Sequence, residues 1–258
     1  MTQMEFPGLP EVKASDPAVV VLSGGQDSMT CLALALARHE KVYAVSFLYG
    51  QKHRTELRQA ALVADRHNVP HSLLDLSFFG NMVTSELTHD GGDTTQPHAY
   101  KPGLPASFVP NRNALFLTLA HAQAQEMEAK YIYTGVCQTD YSGYPDCREG
   151  FIVALEAALN VGYETDIRIV TPMMHLDKAA TFEMADRLGV LAEVIEDSHT
   201  CYNGDRTARH EWGYGCGKCP ACQIRERGYY EFLSRQARNA PSPRTSDMSD
   251  IADAERSA

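Results

Sequence analysis

The sequence predicts a doubly wound α/β protein, in which helices cover both faces of a parallel sheet, followed by a small metal-binding lobe. Two observations predict the sheet. Short β-branched runs alternate with helical segments through residue 76, and a glycine turn joins the first strand to the first helix. Such alternation is typical of parallel strands connected by helices. A third observation, cysteines separated by two-residue gaps between residues 216 and 222, predicts the lobe.

Each element follows from its local pattern. Residues 18–22 form a β-branched run, which is typical of a buried parallel strand, and alanine and leucine at helical spacing predict a helix over 28–39. The same patterns predict strands at 41–49, 71–76, 131–136 and 168–171, and helices at 53–67, 113–130, 149–161, 178–188 and 224–238. Glycine and proline are concentrated over 79–110, which predicts a long loop at the sheet edge.

These elements divide the chain into four parts. We expect a polar leader at 1–17, an α/β domain at 18–198, and a lobe with a C-terminal helix at 199–238. The last stretch, 239–258, is poor in large apolar residues, so we expect a disordered tail there.

The composition is that of an ordinary globular chain, with 44% hydrophobic residues among 258. A formal net charge of −10 disfavours a long nucleic-acid footprint, which needs clustered positive charge. The longest apolar run, 31–37, is far too short to span a membrane, and residues 1–17 lack the pattern of an export signal. We therefore expect a cytoplasmic protein. Because cytosolic thiols stay reduced, we expect its seven cysteines to serve metal binding or catalysis rather than disulfides.

The turn after the first predicted strand reads Ser-Gly-Gly-Gln-Asp-Ser over 23–28. Between a strand and a helix, peptide N–H groups and the positive helix end converge on an anion, and glycine lets phosphate oxygens approach the backbone. Ser23 and Ser28 add hydroxyl donors, and Asp27 would help to hold Mg²⁺ beside phosphates. A tight turn with an Asp or Ser N-cap is the competing interpretation. The six residues resemble the loop of the PP-loop ATP pyrophosphatase superfamily, which binds the pyrophosphate part of ATP.

A cysteine motif follows near the C-terminal end. Cys216, Cys219 and Cys222 succeed one another at spacings of three residues, and Cys201 lies upstream as a fourth candidate ligand. Zinc takes four soft ligands, and two-residue gaps let a turn aim neighbouring sulfurs at one ion, so we expect one structural Zn²⁺ per chain. By spacing alone, His199 or His210 could replace Cys201. The motif is also compatible with cysteines that simply pack in a turn and with a redox-active pair of thiols.

The loop and the cysteine motif occur together in the 7-cyano-7-deazaguanine synthase family, which the chain resembles from about residue 19 to 232. Further segments carry the resemblance: 109–113 (Val-Pro-Asn-Arg-Asn), Gly135, 140–148 (Asp-Tyr-Ser-Gly-Tyr-Pro-Asp-Cys-Arg), 171–174 (Thr-Pro-Met-Met), Lys178 and 200–202 (Thr-Cys-Tyr). Asn111 stands where the family commonly has glycine, and asparagine tolerates left-handed backbone. The gap from Cys201 to Cys216 is longer than in the shorter members, which keeps His210 open as a ligand.

The resemblance implies a site and a reaction. It implies zinc ligands at Cys201, Cys216, Cys219 and Cys222, and ATP-binding residues at Leu22, Ser23, Gly24, Gly25, Gln26, Asp27, Ser28, Met29, Thr30, Cys31 and Leu32. The implied reaction joins 7-carboxy-7-deazaguanine and ammonia into the 7-cyano product through an adenylated carboxylate and an amide. AMP and pyrophosphate would be released, and two activations imply two ATP per product.

Charge that develops on pyrophosphate must be neutralised, and the loop, Mg²⁺ and a cation can do this. We therefore expect catalytic roles for Ser23, Asp27, Ser28 and Lys178, with Arg112 as a further cation that binds ATP. Either Arg112 or Lys178 could instead be a solvated charge on a helix.

The loop after the strand predicted at 131–136 carries candidates for substrate binding, because ligands collect beside strand C-termini in open parallel sheets. A carboxylate can accept hydrogen bonds from the amine and ring N–H of a guanine-like ring, and a tyrosine can stack on it. The candidates are Asp140, Tyr141, Tyr144, Asp146 and Arg148. The same composition is also found in ordinary polar loops.

The sequence is also compatible with three other functions. They are a PP-loop enzyme that acts on transfer RNA, a PP-loop ligase of another substrate, and a zinc-stabilised nucleotide-binding module without catalysis. The first needs a basic tract, which the acidic balance of the chain disfavours. We expect small-molecule substrates with free ammonia as the nitrogen donor, no nucleic-acid or membrane partner, and leave a homodimer open.

Overall fold

In the computed structural model of the chain, the described residues are 6, 8–88, 97–98, 101–139 and 143–239. Residues 6 and 8–17 of the predicted leader are therefore described. Residues 240–258 of the predicted tail lie outside the described residues. Asp140 and Tyr141, two of the substrate-binding candidates, also lie outside them.

A five-stranded parallel sheet forms the centre of the fold. Its strands are β1 Ala18–Val21, β2 Val42–Leu48, β3 His71–Asp75, β6 Tyr131–Tyr133 and β7 Arg168–Val170. They lie in the order β3-β2-β1-β6-β7. In the central strand β1, Val19 pairs with Tyr43 of β2 on one side and with Ile132 of β6 on the other. Because β1 is covered on both faces, Val19 and Val20 are fully buried, which explains a run without polar alternation.

Helices cover both faces of the sheet. They are α1 Gln26–Arg38, α2 Thr55–Arg66, α3 Ser77–Met82, α4 Arg112–Glu126, α5 Glu149–Tyr163, α6 Lys178–Arg187, α7 Leu191–Asp197 and α8 Pro220–Asn239, with a 3₁₀ turn at Pro145–Cys147. Val20 belongs to an apolar cluster with Leu32 of α1, whereas its neighbour Val19 belongs to a second cluster with Leu117 of α4. Successive strand residues point to opposite faces. The doubly wound prediction is therefore confirmed.

The structure differs from the predicted elements at several places. Strand β6 ends at Tyr133 rather than at residue 136, and α8 begins at Pro220 rather than at residue 224. The segment predicted as a loop over 79–110 contains the end of α3 and an antiparallel pair, β4 Pro97–His98 with β5 Lys101–Pro105. Helix α7 was missed because seven residues span too few turns to show a helical period. The helix predicted to end at residue 130 ends at Glu126, before Glu128 takes a left-handed backbone with φ of 52°.

After α7 the chain forms the lobe. Strands β8 Arg209–His210 and β9 Gly213–Tyr214 pair antiparallel, and Trp212 between them packs against the cysteines. Helix α8 returns to the α/β body, where Phe232 stacks on Phe182 of α6 with ring centroids 6.1 Å apart. Helix α8 of the lobe thus packs against α6 of the sheet domain. The predicted domain boundary at residue 198 stays a prediction. None of the helices described combines the length and apolarity that crossing a membrane requires.

Candidate active site

The Ser-Gly loop lies between the C-terminal end of β1 and the start of α1, as the sequence predicts. The Ser28 hydroxyl accepts hydrogen bonds from the peptide N–H groups of Ser23 and Gly24, both at 3.2 Å, and donates to the carbonyl of Gly25 at 3.0 Å. These bonds curl the loop around the first turn of α1. Gly25 is the N-cap of the helix, and no side chain caps it. A tight turn capped by an Asp or Ser side chain is thus not the geometry of this loop.

Two glycines let neighbouring elements approach the loop. Gly24 has φ of +88°, and a Cβ there would lie 2.0 Å from the backbone oxygen of Glu56 at the start of α2. Gly135, just after β6, would place a Cβ 2.9 Å from that of Asp27. Both positions therefore require glycine, because a side chain would push the adjoining backbone away.

An ion pair crosses from the loop to α6. The Lys178 ammonium lies 2.8 Å from Oδ2 and 3.1 Å from Oδ1 of Asp27. Lys178 is the first residue of α6, whose N-cap Asp177 accepts a hydrogen bond from the peptide N–H of Ala180 at 2.8 Å. Both charged side chains are largely buried, with exposed fractions of 13% and 22%. Lys178 and Asp27, predicted from distant parts of the sequence, are thus brought together.

A cavity of about 290 Å³ opens beside this pair and extends to the lobe. One group of lining residues, which we call the loop side, comprises Ser23, Gly25, Asp27, Ser28 and Lys178. A second group, which we call the aromatic side, comprises Tyr49, Phe116, Tyr144 and Tyr202 together with Arg112 and with Glu56, whose backbone also adjoins Gly24 of the loop. The cavity therefore combines an anion-binding loop with a surface suited to a flat ring.

The aromatic side also carries two opposite charges. The Arg112 guanidinium carbon lies 5.7 Å from the ring centroid of Tyr49 and 6.0 Å from that of Phe116. Burial raises the pKa of Glu56 to about 7, although the charge of Arg112 lowers it. The position of Arg112 depends on Asn111, which takes a left-handed backbone with φ of 59° as the N-cap of α4, the conformation that asparagine tolerates.

Several residues that line the cavity carry a buried polar atom that has no hydrogen-bond partner among the described residues. They are Oε1 of Gln26, Nε of Arg112, both ring nitrogens of His199 and Oγ1 of Thr200. An unpaired buried polar group costs about 1–3 kcal/mol. The residues around the cavity therefore retain polar groups that the described part of the chain does not satisfy.

The remaining predicted site residues have different surroundings. Tyr144 lines the cavity, and its hydroxyl lies 2.7 Å from that of Ser107. Asp146 is buried behind the wall, where its carboxylate accepts a hydrogen bond from the peptide N–H of Asn113 at 3.3 Å. Arg148 is exposed and does not line the cavity. Of the predicted ATP residues outside the loop side, Gln26 and Arg112 line the cavity, and a second group is buried beside it: Leu22, Met29, Thr30, Cys31 and Leu32.

Sequence reasoning assigned no ligand-binding role to several cavity residues, among them Tyr49, Glu56, Phe116 and Tyr202. Tyr49 and Glu56 belong to the segment that follows β2, a strand adjacent to the central one. Because ligands bind at the carboxyl ends of parallel strands, the polar residues after β2 could have been included. Tyr202 belongs to segment 200–202, which carries the family resemblance, whereas Phe116 carries no comparable signal.

The four cysteines of the lobe converge as well. The sulfur atoms of Cys201, Cys216, Cys219 and Cys222 all lie within 4.8 Å of one another and could hold a metal ion. Cys216 accepts hydrogen bonds at 3.4 Å from the peptide N–H groups of Lys218 and Cys219, which suits a thiolate.

The two histidines that could replace Cys201 have other surroundings. Nε2 of His210 lies 2.9 Å from the carbonyl of Gly215, and its ring stacks on Trp212 with centroids 4.3 Å apart. His199 lines the cavity. The structure therefore favours Cys201 as the fourth ligand.

A parallel sheet with a Ser-Gly loop at the end of its central strand, opening on a ligand cavity, defines the class: an α/β nucleotide-binding protein of the PP-loop type. The family model described as "Queuosine biosynthesis protein QueC" matches residues 17–233, and the chain belongs to that family. The resemblance predicted from the loop and the cysteines is thus confirmed.

Relatives named 7-cyano-7-deazaguanine synthase are similar over nearly their whole length. One from Wolinella succinogenes is 50% identical over 224 residues, which cover 86% of this chain and 96% of the relative. One from Helicobacter pylori strain Shi470 is 50% identical over 218 residues, covering 84% and 96%. One from Alkalilimnicola ehrlichii is 49% identical over 226 residues, covering 82% and 93%.

Proposed function

We propose that this chain is an ATP-dependent carbon–nitrogen ligase that converts 7-carboxy-7-deazaguanine and ammonia into 7-cyano-7-deazaguanine. Relatives about 50% identical bear the name of that enzyme. One structural observation carries the proposal: a single cavity joins the Ser-Gly loop to an aromatic wall. The loop side suits a triphosphate and the aromatic side a flat ring, so a ring carboxylate would meet the α-phosphorus of ATP between them.

The reaction proceeds through two activations. A carboxylate oxygen attacks the α-phosphorus of ATP, pyrophosphate leaves, and ammonia then displaces AMP to give the amide. The amide oxygen attacks a second ATP with loss of pyrophosphate and an N–H proton. Departure of AMP with the remaining N–H proton leaves the nitrile. Each activation converts an oxygen into a good leaving group, so two ATP are consumed per product.

We assign the pyrophosphate to the loop side. The peptide N–H groups of the loop and the hydroxyls of Ser23 and Ser28 bind its oxygens, and the Lys178 ammonium stabilises the negative charge that develops as it leaves. Asp27 holds Lys178 toward the cavity. Arg112 lies on the aromatic side, where it would neutralise the ring carboxylate as that group approaches ATP.

We also propose the metals. The four-cysteine cluster suits one structural Zn²⁺ per chain, because its donors are soft, mostly buried and supported by peptide N–H groups. Mg²⁺ would accompany ATP and neutralise phosphate charge, with Asp27 as the carboxylate on the loop side. Reduced thiols in the cluster fit a cytoplasmic location.

For the assembly we propose a homodimer formed through α5, without a nucleic-acid partner. Val153 and Val161 of this helix are 62% and 81% exposed, and the exposed Ala157 lies between them on the same face. Antiparallel pairing of two copies would bury this apolar face and bring the Arg148 end of one helix beside the Glu164 end of the other. Val161→Glu should convert the dimer to a monomer in light scattering, and a wild-type monomer would contradict the pairing.

The central test is a pyrophosphate-release assay with ATP, ammonium and 7-carboxy-7-deazaguanine, with mass spectrometry of the amide and nitrile. Turnover should require the acid and should yield about two pyrophosphates per nitrile. Asp27→Ala should abolish turnover, whereas Asp65→Asn, an exposed change on α2, should not. Nucleotide binding without pyrophosphate release in the wild type would instead indicate a module without catalysis.

A further inference from the structure

Two described carboxylates, Asp27 and Glu56, line the cavity, and their surroundings differ. Both oxygens of Asp27 accept hydrogen bonds from Lys178. Glu56, in the first turn of α2, receives no hydrogen bond from any side chain of the described residues, and its charged neighbour is Arg112. A carboxylate turned into a cavity without a donor is a site for a ligand that brings donors.

The location of Glu56 indicates which part of a ligand it meets. It lies on the aromatic side with Tyr49, Phe116 and Tyr202. The rings of Tyr49 and Phe116 form an edge-to-face pair with centroids 5.4 Å apart. A flat ring bound against these side chains would present its polar edge to Glu56 and Arg112.

The carboxylate of Glu56 and the guanidinium of Arg112 suit a ring that carries hydrogen-bond donors on one edge and acceptors on the adjoining edge. A 7-deazaguanine ring carries two neighbouring donors, N1–H and the 2-amino group, which the two oxygens of a carboxylate can accept together. Its next groups around the ring, O6 and the 7-carboxylate, are acceptors suited to a guanidinium. Adenine places an acceptor, N1, beside its amino group, so it can offer a carboxylate only one of the two bonds.

We propose that Glu56 determines specificity for the guanine-like ring by accepting hydrogen bonds from N1–H and the 2-amino group, with Arg112 on the adjoining acceptor edge. This inference rests on the proposed function, and it gives that function a residue for recognition of the ring. The Arg112 guanidinium, which lies against the rings of Tyr49 and Phe116, is the cation on this side of the cavity.

The experiment compares two acids in the pyrophosphate-release assay: 7-carboxy-7-deazaguanine and its 2-desamino analogue, which lacks one donor. In the wild type, KM should be about tenfold or more higher for the analogue. In Glu56→Gln, KM for the parent acid should rise about tenfold, the two acids should become equivalent within about threefold, and KM for ATP should stay unchanged. Asp65→Asn, on the same helix, is the matched control.

Undiminished discrimination in folded Glu56→Gln would overturn the assignment, as would a raised KM for ATP with that for the acid unchanged. A purely structural role would impair both acids alike and leave their ratio intact. The comparison of the two acids in the wild type does not depend on any variant. Equal KM values for the two acids in the wild type would therefore overturn the assignment even if Glu56→Gln does not fold. If the wild type turns over neither acid, the proposed function fails, and calorimetric binding of the two acids still tests Glu56.

Discussion

At the scale of single residues, the cavity shows how surroundings give two carboxylates different properties. Asp27 has the Lys178 ammonium 2.8 Å away, so its charge is compensated within the folded chain. Burial dominates at Glu56 and raises the pKa of that carboxyl from 4.5 to about 7. A site that keeps a buried carboxyl without a hydrogen-bond donor loses stability in exchange for recognition.

The raised pKa of Glu56 predicts a pH dependence of stability. Between pH 4.5 and about 7 the folded chain holds this proton and the unfolded chain does not, so ionisation of Glu56 lowers the free energy of unfolding as pH rises. Glu56→Gln stays neutral and should gain on the order of 1–2 kcal/mol over the wild type between pH 5 and 8. Urea unfolding across that range measures the difference, and a constant difference would contradict the prediction.

At the scale of elements, the parts predicted from sequence are those whose signals are local. The strand at 18–22, the loop at 23–28 and the helix after it follow from contiguous residues, and the structure has β1 and α1 within two residues of those bounds. Glu56 and Tyr202 reach the same cavity from α2 and from the lobe, and their convergence depends on packing that no local pattern encodes. The substrate-binding role of Tyr144 stays a prediction, and Arg148 lies apart from the cavity.

The contact between α6 and α8 positions the ammonium of Lys178. Gly228 of α8 lies so close that a Cβ would fall 2.6 Å from Cβ and Cγ of Lys178. Gly228→Ala should therefore displace the lysine, lowering kcat about tenfold and stability by about 1–3 kcal/mol. Gly162→Ala on α5, where a Cβ meets nothing within 4 Å, is the control and should leave kcat unchanged. Wild-type kinetics in Gly228→Ala would show that the contact does not position Lys178.

Arg225 joins α8 to Trp212 of the lobe and to α7 of the α/β domain from a buried position. Its guanidinium donates to the carbonyl of Trp212 at 2.7 Å, to the hydroxyl of Ser198 at 2.7 Å and to the carbonyl of Val194 at 3.0 Å. Arg225→Met removes these donors and should cost about 2–5 kcal/mol in denaturant unfolding. Arg235→Met, which breaks only partly exposed ion pairs, should cost less than about 1 kcal/mol. Equal losses in the two variants would contradict the role of Arg225.

At the scale of the whole molecule, the lobe and the α/β domain build one site. His199, Thr200 and Tyr202 line the cavity, and they flank Cys201 in the chain. The peptide N–H of His199 donates to the carbonyl of Gly24 in the loop at 2.8 Å. A metal held by the cysteines would therefore fix one wall of the cavity without contacting the reacting atoms.

Removal of one metal ligand should consequently impair both the lobe and the distant chemistry. Cys219→Ser should lower metal content from about one ion per chain, by elemental analysis, and should reduce turnover about tenfold or more because the wall carrying Thr200 and Tyr202 loosens. Cys31→Ala, a buried thiol in α1 outside the cluster, should keep its metal. Full occupancy in Cys219→Ser would argue against the four-thiolate site. Loss of metal with unchanged turnover would mean that the lobe supports its own fold alone, and that the loop and the aromatic side suffice to hold both substrates.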